Sequence, residues 1–234
     1  AEQNQFFHYK LSFSDGKVIE FALEIDHTTE TFIPKTHQAP PVWSQLEYQQ
    51  CENCPLTKED SPYCPVAINL MPLIELCSDL VSFENVKMEL TTSERTVSHN
   101  NTTLQRVLSS ILGLIMATTP CPHTEYLKPM ARFHLPLASP EETIYRTTSM
   151  FLLAQYFRQK AGLNASLELD ELTAIYQNLQ VVNRALARRF RAAISEDATL
   201  NAIILLDLLS QSVTWSIEDG LEELRFLFKR YGVD

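Results

Sequence analysis

Five cysteines are the residues of this chain best equipped for chemistry, and three of them fall in "CENCPLTKEDSPYCPVA", residues 51–67. Cys-x-x-Cys is the smallest loop that brings two soft thiolates onto one ion, and Cys51 and Cys54 form such a pair. Cys64 can supply a third sulfur from the same loop. The fourth donor has to come from elsewhere, and Cys121, in Pro120-Cys121-Pro122-His123, is the best placed, with His123 as its substitute. Cys77 lies in an apolar run (Leu73, Ile74, Leu76, Leu80) and reads as an ordinary buried thiol. Tetrahedral zinc held by four thiolates is the leading expectation. An iron–sulfur cluster is the alternative, because Cys54, Cys64 and Cys121 each precede proline, a pairing also found after a ligand in bacterial ferredoxin runs. A compact ferredoxin spacing is missing. A site without metal, or a disulfide, is the third reading, although an odd number of cysteines fits a fully paired framework poorly. A closed set of four thiolates leaves no open coordination position, so a zinc there is structural and pins two parts of the chain together.

A second cluster is suggested by "PMARFHLPLASPEETIYR", residues 129–146. On an extended segment Arg132 and His134 lie on one side, two residues apart, and Glu141 follows at a helix start. Arginine, histidine and carboxylate together suit a small anionic ligand or general acid–base work. The plainer reading is that Arg132 pairs with a glutamate while His134 satisfies backbone carbonyls. Glu142 is already explained as a capping residue, and Tyr145 and Arg146 lie one turn further on. Arg184, Arg188, Arg189 and Arg191 read as a solvated helix end complementing the helix dipole, with the acidic Glu218, Asp219, Glu222 and Glu223 as alternative partners. Asn183, Asp197 and Asn201 read as a polar network between facing helices. There is no Gly-rich phosphate loop, no His-Glu-x-x-His and no Gly-x-Ser-x-Gly elbow. His8, His27, His37 and His99 have no partner nearby in sequence.

The elements that must position these groups change character along the chain. Residues 6–13 and 18–25 alternate in polarity around Ser14-Asp15-Gly16, a hairpin signal. Proline-rich residues 31–45 predict an irregular crossing, and residues 66–80 a short helix ending near Asp79. Residues 81–90 and 95–98 predict two more strands. From Thr102 onward the pattern becomes helical, with apolar residues spaced by three and four over Leu104 to Met116 and an irregular stretch over 119–138. Ser139-Pro140-Glu141-Glu142 combines an N-cap, a proline at the first helical position and a capping-box glutamate, opening a helix to about Ala161 with Gly162 as its stop. Further helices are predicted over 169–193, over 196–213 opened by Ser195, and over 217–230. Strands first and helices second indicate an α+β protein. It is read as one domain, residues 1–234, with a β-rich part (1–100) carrying the cysteine loop and a C-terminal helical bundle (101–234).

Of the 234 residues 45% are hydrophobic and 21% charged, enough apolar matter for a sizeable core without staples. A net charge of −10 argues against nucleic acid and anionic membrane as partners. The apolar runs near 107–118 and 202–209 fall short of a membrane span, and Ala1-Glu2-Gln3-Asn4 shows no leader pattern, so a cytoplasmic location is expected. Apolar helices over 147–157 and 202–213 suggest a homo-oligomer or a protein partner.

"CENCPL", "YCPVA", "LQRVLSSILGLIMATTPCP", "PMARFHLP" and "EETIYRTTSMFLLAQYF" together resemble a bacterial family of uncharacterised proteins, a domain of unknown function. The resemblance runs over nearly the whole chain. It implies one unit containing hairpin, cysteine loop and helices, and carries no activity or site residue. The function expected on these grounds is a zinc-stabilised binding or regulatory protein. An enzyme using Arg132, His134 and Glu141, and an iron–sulfur redox sensor, are the alternatives.

Overall fold

A computed structural model describes residues 4–34, 39–77, 80–193 and 197–233, with the side chains of residues 193 and 197 also left aside. Strand β1 (Gln5–Phe13) and strand β2 (Val18–Ile25) form the hairpin that the Asp-Gly turn demands. Gly16 has φ 91, a left-handed backbone that a side chain would disfavour, and Lys17 N donates to Asp15 Oδ1 at 2.8 Å. Helix α1 (Pro65–Leu76) follows, then β3 (Asn85–Thr91) and β4 (Thr96–Thr103). All pairings are antiparallel and the sheet order is β2-β1-β3-β4. Alternation in β1 buries Phe7, Tyr9, Leu11 and Phe13 on one face and leaves His8 on the other, beside Glu20 at 3.2 Å. The two C-terminal strands lie a few residues later than the sequence suggests. Val81 to Glu84 instead form a turn, and β4 continues through polar residues to Thr103.

Strand β4 passes into helix α2 (Leu104–Ala117) with no intervening residue. The C-terminal half contains α3 (Lys128–Arg132), α4 (Pro140–Lys160), α5 (Asp170–Ala193), α6 (Asp197–Glu218) and α7 (Glu222–Arg225), with a 3₁₀ stretch at Phe226–Tyr231. The protein is therefore α+β, with the antiparallel sheet in the N-terminal half and most helices C-terminal. The Ser139 capping box forms: Glu142 N donates to Ser139 Oγ at 3.1 Å and Ser139 N to Glu142 Oε2 at 2.8 Å. Two expectations change. The stretch before α4 is not wholly irregular, because Pro129 near the first position of α3 starts a short helix that ends at Arg132. The last predicted helix breaks at Gly220 and Leu221, both with positive φ, into α7 and the 3₁₀ stretch. Ser195 and Asp79 lie outside the described residues.

The main core is continuous from the sheet into the helices: Tyr9, Leu23 and Met88 share it with Leu70 of α1, Leu108 of α2, Leu186 of α5 and Ile203 of α6. A smaller cluster joins Ile144 and Phe151 of α4 to Leu172 and Tyr176 of α5 and Val213 of α6. By length and composition Ala198–Glu218, mean hydropathy 1.3, is long and apolar enough to cross a membrane, which the shorter run 202–209 did not convey. In the fold it packs against α2, α4 and α5.

Segment 42–64 is fastened to α5 by Arg189, which is not part of a solvated helix end but only 2% exposed. Its Nη1 donates to the carbonyls of Trp43 and Gln45, the latter at 2.7 Å, and its Nη2 to Leu46 O at 3.3 Å. Neighbouring Arg188 pairs with Glu52 at 3.7 Å, so these arginines serve the cysteine loop and not the acidic C-terminal stretch, where Glu222 pairs with Arg225. Replacing Arg189 leaves three carbonyls without their charged donor. Arg189→Met is expected to lower unfolding stability by about 3–5 kcal/mol in denaturant titration. Arg189→Lys should recover only part, because one ammonium cannot span three acceptors. A loss below about 1 kcal/mol, the size of an ordinary surface change, contradicts the anchoring role.

Candidate functional site: a four-cysteine centre and a neighbouring cavity

The cysteine loop is held on both sides before its sulfurs are considered. Leu46 N donates to Pro62 O at 3.0 Å and Cys64 N to Ser44 O at 2.9 Å, closing the base of the loop. Cys54 N donates to Cys51 O at 3.1 Å, the tight turn that a Cys-x-x-Cys pair needs. Cys64 is the N-cap residue of α1. Cys121 lies just beyond α2, in a turn where Thr124 N and Glu125 N both donate to its carbonyl at 3.1 Å.

These segments bring Cys51, Cys54, Cys64 and Cys121 to the walls of one cavity of about 20 Å³, completed by Pro55, Val66, Val182 and Leu186. All five cysteines are free thiols, and Cys77 is buried in the main core. Burial pushes the Cys51 thiol up to about 12, and the nearby sulfurs of Cys64, Cys121 and Cys54 add to that rise. Burial also raises Cys121, against the pull of hydrogen bonds from the His123 and Thr124 backbone. Among the described residues, no three His, Cys, Asp or Glu side chains stand close enough to hold a metal ion as they are placed. His123 also borders this cavity, but its Nε2 donates to Asn53 O at 2.7 Å, and Asn53 is tied in turn to Asn178 Oδ1 of α5 at 2.9 Å. Its ring thus braces the loop, while Cys121 lines the same cavity as the other three cysteines.

The proposed Arg132, His134 and Glu141 cluster does not assemble. With Arg132 at the end of α3 rather than on an extended strand, its guanidinium turns to Glu30 Oε1 at 3.1 Å and to His27 Nε2 at 3.3 Å. Glu141 is exposed on the first turn of α4. His134 faces the sheet, where its Nε2 and the hydroxyl of fully buried Tyr9 share a hydrogen bond at 2.5 Å. The arginine that does come near His134 is Arg146 of α4, whose Nη2 donates to Met130 O at 3.0 Å and Phe133 O at 2.8 Å. Its position one turn into α4 was the available signal in the sequence, since an i, i+4 step brings residue 146 onto the face of Glu142.

His134 and Arg146 both line a second, much larger cavity of about 460 Å³ between α2, the 130–140 segment, α4, α5 and α6. Asn183 also lines it and donates to Ser210 Oγ at 3.2 Å, realising an interhelical polar contact. Asn201 instead reaches Ser82 Oγ at 3.0 Å, and the Asp197 side chain lies outside the described residues, as does His37. His99 Nδ1 accepts from Asn101 N at 3.4 Å. Tyr176 is buried against the same cavity, pushed up to about 12 by that burial, with its hydroxyl donating to Thr147 Oγ1 at 2.8 Å.

With this geometry described, comparison with known proteins adds one result. Residues 7–229 match the family described as "Domain of unknown function (DUF6901)". The chain belongs to that family. No curated protein matches the chain, and no solved structure matches it either. The family spans sheet, cysteine loop and helices alike, so both sites described above lie inside it.

His134 gives a pH test of this packing. Burial first, and the charge of Arg146 second, hold it neutral down to about 3, whereas an unfolded chain protonates it near 6.5. Below that value the unfolded state binds the extra proton, so stability is lost as pH falls from 6.5 towards 3. His134→Gln should flatten this part of the stability profile relative to the parent protein in pH-dependent thermal melts. Parallel profiles for the two proteins would contradict it.

Proposed function

We propose that this protein is a zinc-stabilised binding module without catalytic chemistry at its cysteines, in which Cys51, Cys54, Cys64 and Cys121 hold one ion that clamps the cysteine loop to the helical part. The observation that carries this reading is the convergence of four thiols from two distant segments on one cavity about 20 Å³ in volume. That is room for a single small body, about one water-sized sphere, and too little for a cluster of several irons and sulfides. The four thiols are weak partners for a water, whereas zinc matches an all-sulfur donor set. The sulfurs must draw together to reach the Zn–S distance of roughly 2.3 Å.

Charge balance supports the same reading. Arg189 is buried, bonds only to backbone carbonyls, and lies over the Tyr48 ring at 5.8 Å, with no acidic partner among the described residues. An unpaired buried guanidinium is costly, and four thiolates around a divalent ion carry the negative charge that would balance it. A fully sulfur-ligated ion has no open position for substrate. Action then falls to surfaces and pockets elsewhere. Exposed apolar residues on α4 (Leu153, Tyr156, Phe157) and on α6 (Leu208, Trp215) are consistent with a protein partner or a second copy.

Metal analysis of the purified protein should find one zinc per chain in a colourless preparation. Cys64→Ser should lose most of that zinc, and chelation of the parent protein should lower its melting temperature. Iron with visible charge-transfer absorption would establish the cluster reading instead. Unchanged zinc in Cys64→Ser would remove that residue from the ligand set.

A further inference from the structure

The larger cavity has a composition that sets it apart from the rest of the protein. Its volume of about 460 Å³ falls in the range of small-molecule sites, and its walls are mostly aliphatic, among them Leu114, Leu135, Leu205 and Leu209. The chain as a whole carries a net charge of −10, yet among the described residues lining this cavity there is no aspartate or glutamate. The charged residues there are Arg106 and Arg146. Neither forms an ion pair with a described carboxylate. Arg146 spends one nitrogen, Nη2, on two backbone carbonyls; among the described residues its Nη1 and Nε have no hydrogen-bond partner, though the Glu142 charge reaches it electrostatically, and these donors can serve a ligand. Arg106 is exposed and also lines the cavity.

Three more features single the cavity out from a chance gap between helices. Ser109 of α2 is 4% exposed, lines the cavity, and its hydroxyl has no hydrogen-bond partner. A buried hydroxyl without a partner is costly, and a ligand acceptor would repay it. Leu137, also on the wall, adopts φ 58, a left-handed backbone unusual for leucine, and is held there by donation from its N–H to Ser110 Oγ at 2.7 Å. Gly113 faces Leu206 across the α2–α6 contact, where a Cβ would come within 3.4 Å of the leucine. The glycine keeps that part of the wall thin.

From these observations we infer that the cavity binds an amphipathic monocarboxylate, its aliphatic tail among the leucines and its carboxylate on Arg146, with Arg106 steering the anion at the exposed side. The guanidinium fork suits a planar carboxylate, and the apolar walls suit an unbranched hydrocarbon tail better than a sugar or a nucleotide. A second copy of the chain could also cover an apolar face. The unpaired arginines and the buried Ser109 hydroxyl favour a small anion over an aliphatic protein surface. This inference names a ligand class for the binding-module reading and does not require the metal.

The test uses decanoate below its micelle concentration, with decanol (tail without charge) and acetate (charge without tail) as comparisons. Calorimetric titration of the full chain should show one decanoate per chain and a raised melting temperature, with decanol weaker and acetate silent. Arg146→Gln should weaken decanoate binding by about tenfold or more, the scale of a lost charge-assisted contact. Arg106→Gln, at an exposed position that cannot unfold the chain by itself, should weaken it severalfold and reduce its salt dependence. Decanol binding as tightly as decanoate overturns the inference, and so does a folded Arg146→Gln protein that binds unchanged. A dimeric parent that takes up no decanoate overturns it in favour of a second copy. Zinc content measured on the same preparations separates failure here from failure of the metal centre.

Discussion

A buried guanidinium holds one irregular segment of this protein in place. Residues 42–64 contain a single 3₁₀ turn and several bends, and such a segment cannot satisfy its own backbone. Arg189 reaches it from α5, more than 140 positions away in sequence, and supplies donors to the carbonyls of residues 43, 45 and 46. Desolvating an arginine is expensive, and hydrogen bonds to three carbonyls offset only part of that cost. That anchoring helps to fix the loop from which Cys51, Cys54 and Cys64 reach one cavity.

The two cavities are neighbours joined through α2. Its body contributes Ser109 and Gly113 to the large cavity, and its C-terminal end leads directly into Cys121. Around that end Thr119 Oγ1 and Thr124 Oγ1 both donate to Met116 O, at 2.9 and 2.6 Å, adding to the backbone donation from Thr119 N at 3.3 Å. Thr124 borders the large cavity and also bonds to Cys121 through its backbone. A single buried threonine thus forms part of the wall between a sulfur centre and an aliphatic pocket.

Local patterns in the sequence were legible where a few adjacent residues decide the outcome. Asp15-Gly16 marked the hairpin, Ser139 to Glu142 marked the start of α4, and Leu104 to Met116 marked α2 by its spacing. The same cysteines picked out by spacing do line one cavity, because turn geometry at Cys51–Cys54 is local. What the sequence could not convey was long-range choice among equivalent charges. Four arginines in one helix look alike on paper, and only packing decides that Arg189 faces inward. The same holds for Arg132 and Arg146. A five-residue helix seeded by Pro129 turned Arg132 towards Glu30, and the helix phase of α4 brought Arg146 towards His134. Cavities, finally, are properties of how helices fail to meet, which no residue spacing encodes.

The direct passage from β4 into α2 has a mechanical consequence. With no residue between strand and helix, only the torsions at Thr103 and Leu104 separate the sheet from the cavity wall. Leu104 N donates to Glu84 O and Gln105 N to Ser82 O, both at 2.9 Å, so even that junction is stitched to the turn that leads into β3. A displacement of α2 cannot be absorbed by a hinge there. It has to be carried into the β3–β4 hairpin, which makes hairpin and helix one cooperative unit in hydrogen exchange, opening together or not at all.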